Sequence, residues 1–296
     1  MKRLYYILLA MRPRQWTKNL VVFAGLIFSR NVTNSDLVWK SIEAFLVFCA
    51  LSGVIYIVND LADIEKDKLH ETKRKRPLAS GKLSRADAIA AAVVVGAGSL
   101  AIARFVGASF FAVAVVFFVL NILYSLALKR IVIVDVVSIS LSFVIRAIAG
   151  VEALADVDPG IAISPWLLIC TLFLSLFLSF CKRRHEFTTL GDAARHREAL
   201  AEYSSALIDQ LVGITAAGAL LSYSIYTIWP ETVDKFGTTR LIYTIPLVVV
   251  GVMRYLYLVY NKEKGGSPTD MLLSEKFLLI DVFLWIVLVV AIFYIF

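Results

Sequence analysis

Nine stretches of the chain, near 17–30, 40–58, 86–103, 106–127, 133–150, 165–181, 207–229, 240–260 and 277–296, are apolar over lengths that reach or approach a bilayer's thickness. A helix crosses the hydrocarbon core in roughly 20 residues. Backbone polar groups there must be satisfied within the segment, so the windows read as helices. With 59% hydrophobic residues and a mean hydropathy of +0.79 over 296 residues, the chain has more apolar sequence than a water-soluble core of that length needs. The expected fold is all-α: a polytopic membrane protein, a bundle of about nine transmembrane helices. The first and fifth windows are the weakest, one being short and the other carrying Arg146. No Pro-, Gly- or Ser-rich linker divides the sequence, which reads as a single transmembrane helical domain over 1–296.

Orientation follows from where Lys and Arg fall rather than from the net charge of +7. The start carries Lys2, Arg3, Arg12, Arg14 and Lys18; the second connection Lys66, Lys68, Lys73, Arg74, Lys75, Arg76, Lys82 and Arg85; the fourth Lys129 and Arg130. The sixth adds Lys182, Arg183, Arg184, Arg195 and Arg197, and the eighth Lys262, Lys264 and Lys276. The odd connections are poor in both. With nine crossings, the N-terminus and the long charged connections near 59–85 and 182–206 face the cytoplasm and the C-terminus lies outside. Met1 to Trp16 has no convincing cleavage site and reads as an interfacial helix, with Trp16 as a membrane anchor. Cys49, Cys170 and Cys181 lack zinc-type spacing and read as packing residues.

The run Asn59-Asp60-Leu61-Ala62-Asp63-Ile64-Glu65-Lys66-Asp67 follows the second window directly. As helix, it puts Asn59, Asp63 and Asp67 at i, i+4 and i+8, with Asp60 three before Asp63, in one acidic stripe. Hard oxygen ligands without nearby His or Cys suit Mg²⁺, which binds through one or two carboxylates plus substrate phosphates. The basic run Lys73-Arg74-Lys75-Arg76 comes next, and its arginines match phosphate geometry best. Together they read as a site for a magnesium-bound polyphosphate, against the plainer reading of a solvated helix end.

Further cations bear on the same chemistry. Lys18 stands at the start of the first window, Tyr124 and Lys129 close the fourth, and Arg146 lies inside the fifth. A cation within a span needs a partner or a water-filled cavity. Asp135 is eleven residues away on the same helix, too far for direct contact, so Arg146 is expected to face a cavity and bind an anion. At the end of the sixth window Lys182, Arg183 and Glu186 form a second charged cluster, Glu186 being suited to orient a cation or accept from substrate hydroxyls. A charged cluster at matching ends of two helices suggests a two-part pocket. His185 between them reads as an interface residue.

These motifs, in this order, resemble the intramembrane prenyltransferase superfamily typified by UbiA. Its first signature, Asn-Asp-x-x-Asp-x-x-x-Asp, matches Asn59, Asp60, Asp63 and Asp67. Its usual members carry a second acidic signature at the end of the sixth helix, where this chain has Lys182-Arg183-Arg184-His185-Glu186. The departure suits an acceptor that is itself an anion. The chain is similar to the decaprenyl-phosphate phosphoribosyltransferase branch in Arg12 to Asn19, Tyr56 to Asp60, Thr72 to Pro77, Ile145 to Gly150, the 182–186 cluster, Glu202-Tyr203-Ser204 and Ser267 to Asp270.

The resemblance implies transfer of the 5-phosphoribosyl group from phosphoribosyl pyrophosphate to a polyprenyl phosphate of decaprenyl type, releasing pyrophosphate, for lipid-linked pentose in cell-wall synthesis. Asp60, Asp63 and Asp67 are then the metal-holding catalytic residues with Mg²⁺ as cofactor. Lys18, Asn59, Lys73, Arg74, Arg76, Tyr124, Lys129, Arg146, Lys182, Arg183 and Glu186 are candidates for substrate binding. The expected setting is the bacterial inner membrane, with the lipid bilayer as partner, the site open to the cytoplasm and no nucleic-acid ligand. Two rivals are an aromatic prenyltransferase using a prenyl diphosphate and a non-catalytic lipid transporter. The first lacks its second acidic motif here, and the second lacks charged residues spread through its spans.

Overall fold

The structure is a computed structural model that describes residues 2–190, 198–262 and 265–294. Arg195, Arg197 and Lys264, three of the topology markers, lie outside the described residues, as does 191–197 of the second charged connection. Every regular element among the described residues is helical. They are α1 (Lys2–Ala10), a 3-10 helix over Pro13–Phe23 leading into α2 (Ala24–Phe28), α3 (Ser35–Ala62), α4 (Ile64–Lys68), α5 (Arg85–Val106), α6 (Ala108–Leu126) and α7 (Val134–Ala155). There follow α8 (Pro165–Leu190), α9 (Glu198–Ala201), α10 (Ser205–Ile228), α11 (Pro230–Phe236), α12 (Ile245–Asn261) after a 3-10 turn over Arg240–Thr244, α13 (Pro268–Ser274) and α14 (Lys276–Tyr294).

Eight helices among the described residues are long and apolar enough to cross a membrane. The first window differs in kind. Its 11-residue 3-10 helix and the 5 residues of α2 replace one long α-helix. A 3-10 helix rises faster per residue, so the two together cover about 30 Å, the depth of the hydrocarbon core. Eight spans and this segment of two short helices are in keeping with a bundle of about nine.

Two compact units emerge, Met1–Lys129 with Leu141–Ser164, and Arg130–Ser140 with Pro165–Phe296. In the first, α3 is the central element, packed by α5, α6 and the 3-10 helix. Its core joins Val47, Phe48, Leu51 and Ile55 of α3 to Phe110, Ala114 and Phe117 of α6 and to Ala149 and Ala153 of α7. In the second, α8 packs along α10, with the Phe173 ring lying on Gly218. Phe177, Phe180, Val212, Tyr255 and Leu258 form its core. Outward faces carry large apolar side chains, among them Phe105, Val94, Ile214 and Leu221, as expected where the surrounding solvent is lipid. Hydroxyls inside the spans bond back to their own helices, Ser99 to Val95, Thr171 to Leu167 and Thr215 to Leu211, which removes polar groups from lipid.

One close approach fixes the entry of the first unit. The backbone of Val22 lies against Gly150 of α7, and Gly25 in turn meets the Gly150 carbonyl, where an added Cβ would sit 2.8 Å from oxygen. No side chain fits, because the obstacle is backbone. Gly150→Ala is expected to lower the melting temperature in detergent, a cost of about 1–3 kcal/mol typical of overpacking; an unchanged melting curve would show that the helices separate without penalty.

Candidate functional site

Helix α3 starts on an Asn34 cap whose side chain accepts from the Asp36 and Leu37 amides. It runs to Ala62, where Asp63 turns out of helical geometry at φ −105° and α4 begins. The hydrogen-bond ladder survives the break. The Asp63 amide donates to the Asn59 carbonyl at 3.0 Å and the Asp67 amide to the Asp63 carbonyl at 2.8 Å. The acidic stripe therefore keeps its register across two helices rather than one.

Three cations from three segments close on it, all within the first unit. Asp60 is 2% exposed and accepts from Arg12 and, at 3.1 Å, from Arg76 Nη1. The same Arg76 nitrogen donates to Asp67 at 2.6 Å. Lys129 donates to both oxygens of Asp63 at 2.9 and 2.7 Å and to Asn59 Oδ1 at 3.2 Å. Arg12 also lies over the Tyr56 ring, 4.8 Å from its centre. Its backbone is left-handed at φ 53°, immediately before Pro13, a strained conformation for a side-chain-bearing residue. That turn swings Arg12 back onto α3. It went unrecognised in the sequence, where the stretch around it reads as an anchor; the Arg-Pro step was the available signal.

The basic run behaves unevenly. A 3-10 turn over Lys73–Lys75 and an extended Arg76 carry the chain into buried Pro77 and Leu78, so Arg76 reaches the acids while Arg74 is exposed and Lys73 is half-buried. Lys18 and Tyr124 are also half-buried.

Arg146 is 6% exposed and lies in the same unit. Its Nε donates to Asn19 Oδ1 at 2.8 Å, and its Nη1 to the Ser142 carbonyl and hydroxyl at 2.9 and 2.7 Å. Phe117 and Phe143 lie 4.6 and 5.1 Å from the guanidinium carbon. Asn19, fully buried, was not among the expected site residues.

The second unit holds the other cluster. Arg183 donates from Nε to Asp135 at 2.8 Å and from Nη1 to Glu186 at 2.5 Å. Lys182 is 3.9 Å from Glu186. The Tyr203 hydroxyl donates to Asp135 at 3.0 Å and accepts from the Ile133 amide at 2.8 Å. Burial, reinforced by the Asp135 charge, raises the Tyr203 phenol well above its ordinary range, so it stays a neutral hydroxyl that both donates and accepts. Asp135 and Tyr203 complete a network that the sequence showed only as Lys182, Arg183 and Glu186.

The family pattern matches residues 19–287 and is that of the UbiA prenyltransferase family. The chain belongs to this family. It is an integral membrane transferase. The chain is 31% identical to the decaprenyl-phosphate phosphoribosyltransferase of Mycobacterium tuberculosis over 95% of this chain and 92% of that one. It is 30% identical to that of Corynebacterium glutamicum over 97% and 86%. Among solved structures, a UbiA homolog from Archaeoglobus fulgidus bound to GPP and Mg²⁺ is similar with a TM-score of 0.74 at 18% identity, over 97% of this chain and 99% of that one. The UbiA fold is thereby shared.

The acidic end of α3 fits a hard cation. Its donors are carboxylate and amide oxygens, and Asp60 and Asp67 converge on a single positively charged nitrogen of Arg76. Among the described residues no three His, Cys, Asp or Glu side chains are gathered as a ready metal group; basic side chains stand between the acids instead. For the second cluster, Asp135→Ala removes one of the carboxylates that meet buried Arg183. The expected loss is about 3–5 kcal/mol, read as a lower melting temperature, whereas an unaltered melting temperature would rule out Asp135 as the anchor of this network.

Proposed function

We propose that the protein transfers the 5-phosphoribosyl group from phosphoribosyl pyrophosphate to the phosphate of a decaprenyl-type polyprenol. The bond from C1 of the ribose to the pyrophosphate oxygen breaks, pyrophosphate leaves with the electron pair, and an oxygen of the acceptor phosphate takes its place on C1. One observation carries this reading. Where prenyl-transferring relatives of the superfamily hold a second acidic pair, this chain has Lys182, Arg183 and Glu186. The names of the relatives at about 30% identity agree with it.

Asp60, Asp63 and Asp67 hold magnesium in this reading, with Asn59 orienting ligands. The metal, when bound, neutralises charge developing on the departing pyrophosphate. Arg12, Arg76 and Lys129 then exchange a carboxylate for a phosphate oxygen, so the basic groups that hold the acids together before substrate arrives bind the donor afterwards. Lys73 and Arg74 extend that basic surface toward solvent. The acceptor needs no strong general base, since a phosphate monoester is an anion at neutral pH. Positioning and neutralisation supply the rate.

The charge distribution supports an orientation with this end of α3 toward the cytoplasm, and we place the protein in the bacterial inner membrane. A cytosolic, highly charged donor and a lipid acceptor fit that orientation.

The purified protein, given labelled phosphoribosyl pyrophosphate and a polyprenyl phosphate, is expected to move label into the lipid extract with Mg²⁺ and to stop when EDTA removes it. Asp60→Ala and Asp63→Ala are each expected to lower the rate by at least about 100-fold without altering behaviour on size exclusion. Label confined to the aqueous phase, with transfer instead from a prenyl diphosphate, would sink the assignment.

A further inference from the structure

Along one face of α3 the polar residues continue inward from the acidic end. Asn59 and Asp60 are followed by Tyr56, Ser52 and Cys49, at helical spacing. This ladder ends on a buried node. Ser52 donates to Asn19 Oδ1 at 3.2 Å, the Asn19 amide nitrogen approaches Cys49 Sγ at 3.4 Å, and Arg146 Nε donates to the same Asn19 oxygen. Ser142, which accepts from Arg146, donates onward to Asn121 Oδ1 at 3.2 Å.

The node has an unbalanced charge. Arg12, Arg76, Lys129, Arg183 and Arg184 each meet a carboxylate. Among the described residues Arg146 meets none: its hydrogen-bond partners are an amide and a serine, and its faces are aromatic. A cation that is 6% exposed inside a span is costly without a counter-ion. Nε and Nη1 are engaged by protein, whereas Nη2 makes none of these bonds and is not among the sealed polar atoms. One edge of the guanidinium is thus held in place and the other is left for an anion.

Resting on the phosphoribosyl reading above, we propose that Arg146, fixed by Asn19 and Ser142, receives the 5-phosphate of the donor and selects a sugar phosphate over a prenyl chain. The ladder from Asp60 to Ser52 rises about 12 Å along the helix. A pentose with a pyrophosphate at C1 and a phosphate at C5 carries charge at both ends of such a path. A prenyl diphosphate carries charge at one end and hydrocarbon at the other, and its tail would leave Arg146 buried and unpaired. The acceptor is also a phosphate monoester. Its phosphate belongs at headgroup level, near the acidic end of α3, and the node lies a further two helical turns inward.

Two donors test this, phosphoribosyl pyrophosphate and its analogue lacking the 5-phosphate. Arg146→Gln is expected to lower kcat/KM for the full donor by about 100-fold, the scale for leaving a buried charged group unpaired, and to change the analogue by less than about threefold. Discrimination between them then collapses. An equal fall for both donors, or a rise confined to the acceptor's KM, overturns the proposal. Asn19→Asp guards against misfolding, because it gives Arg146 an internal counter-ion. Expected is an equal or higher melting temperature with the same loss of discrimination; retained discrimination in a stable Asn19→Asp protein also overturns it. Independently of transfer, ribose 5-phosphate is expected to raise the melting temperature of the unaltered protein and ribose is not. If no phosphoribosyl transfer occurs but ribose 5-phosphate still stabilises through Arg146, the reaction assignment fails and the anion site stands. Absence of both fails the site.

Discussion

Carboxylates as deeply enclosed as Asp60 and Asp67, 2% and 3% exposed, cannot be left unpaired at the end of a membrane-crossing helix, and the connections of the first unit are arranged to meet them. Arg12 arrives from the N-terminal stretch, Arg76 from the loop after α4, and Lys129 from the turn after α6. Each segment is polar and would otherwise gain little from docking on an apolar bundle. The acids give them a common destination. A buried pair is a poor source of net stability, because desolvation offsets its attraction; what it supplies is a unique arrangement, since any other leaves a buried charge alone.

The same physics shapes α3 as a whole. Most of its faces pack against apolar neighbours, Phe48 against Phe110 and Phe117 for example, which is what holds so long a helix at the centre of its unit. One stripe is polar from Cys49 to Asp63. Ser52 and Cys49 are matched by Asn19, and Asn19 comes within reach only because Gly25 and Gly150 let the 3-10 helix and α7 touch backbone to backbone. Apolar packing and the polar ladder are therefore one arrangement.

Much of this was readable in the sequence. The acidic stripe was, because its side chains share a helical period and the ladder persists through Asp63. The spans were, because lipid allows little choice of secondary structure. The first window reads as short, and it folds as part of a 3-10 helix and a short α-helix rather than as one long span. Arg12 was hidden by a left-handed turn that no periodicity reports. Spacing separates Asp135 from Arg146; Arg183, which Asp135 does meet, is 48 residues distant, and only the fold brings them together. The polar node at Asn19 joins residues 127 apart, beyond any local pattern.

The second cluster bears on how the acidic signature is to be understood. Replacing a pair of acids by Lys182 and Arg183 looks like the creation of an anion site. In the folded unit Arg183, 8% exposed, touches both Asp135 and Glu186. Arg183 is already engaged by two carboxylates, and one of those bonds must break before it meets a further anion. Attraction for the proposed donor, anionic at both ends, falls more naturally on the first unit. There, among the described residues, Arg146 has no carboxylate to give up.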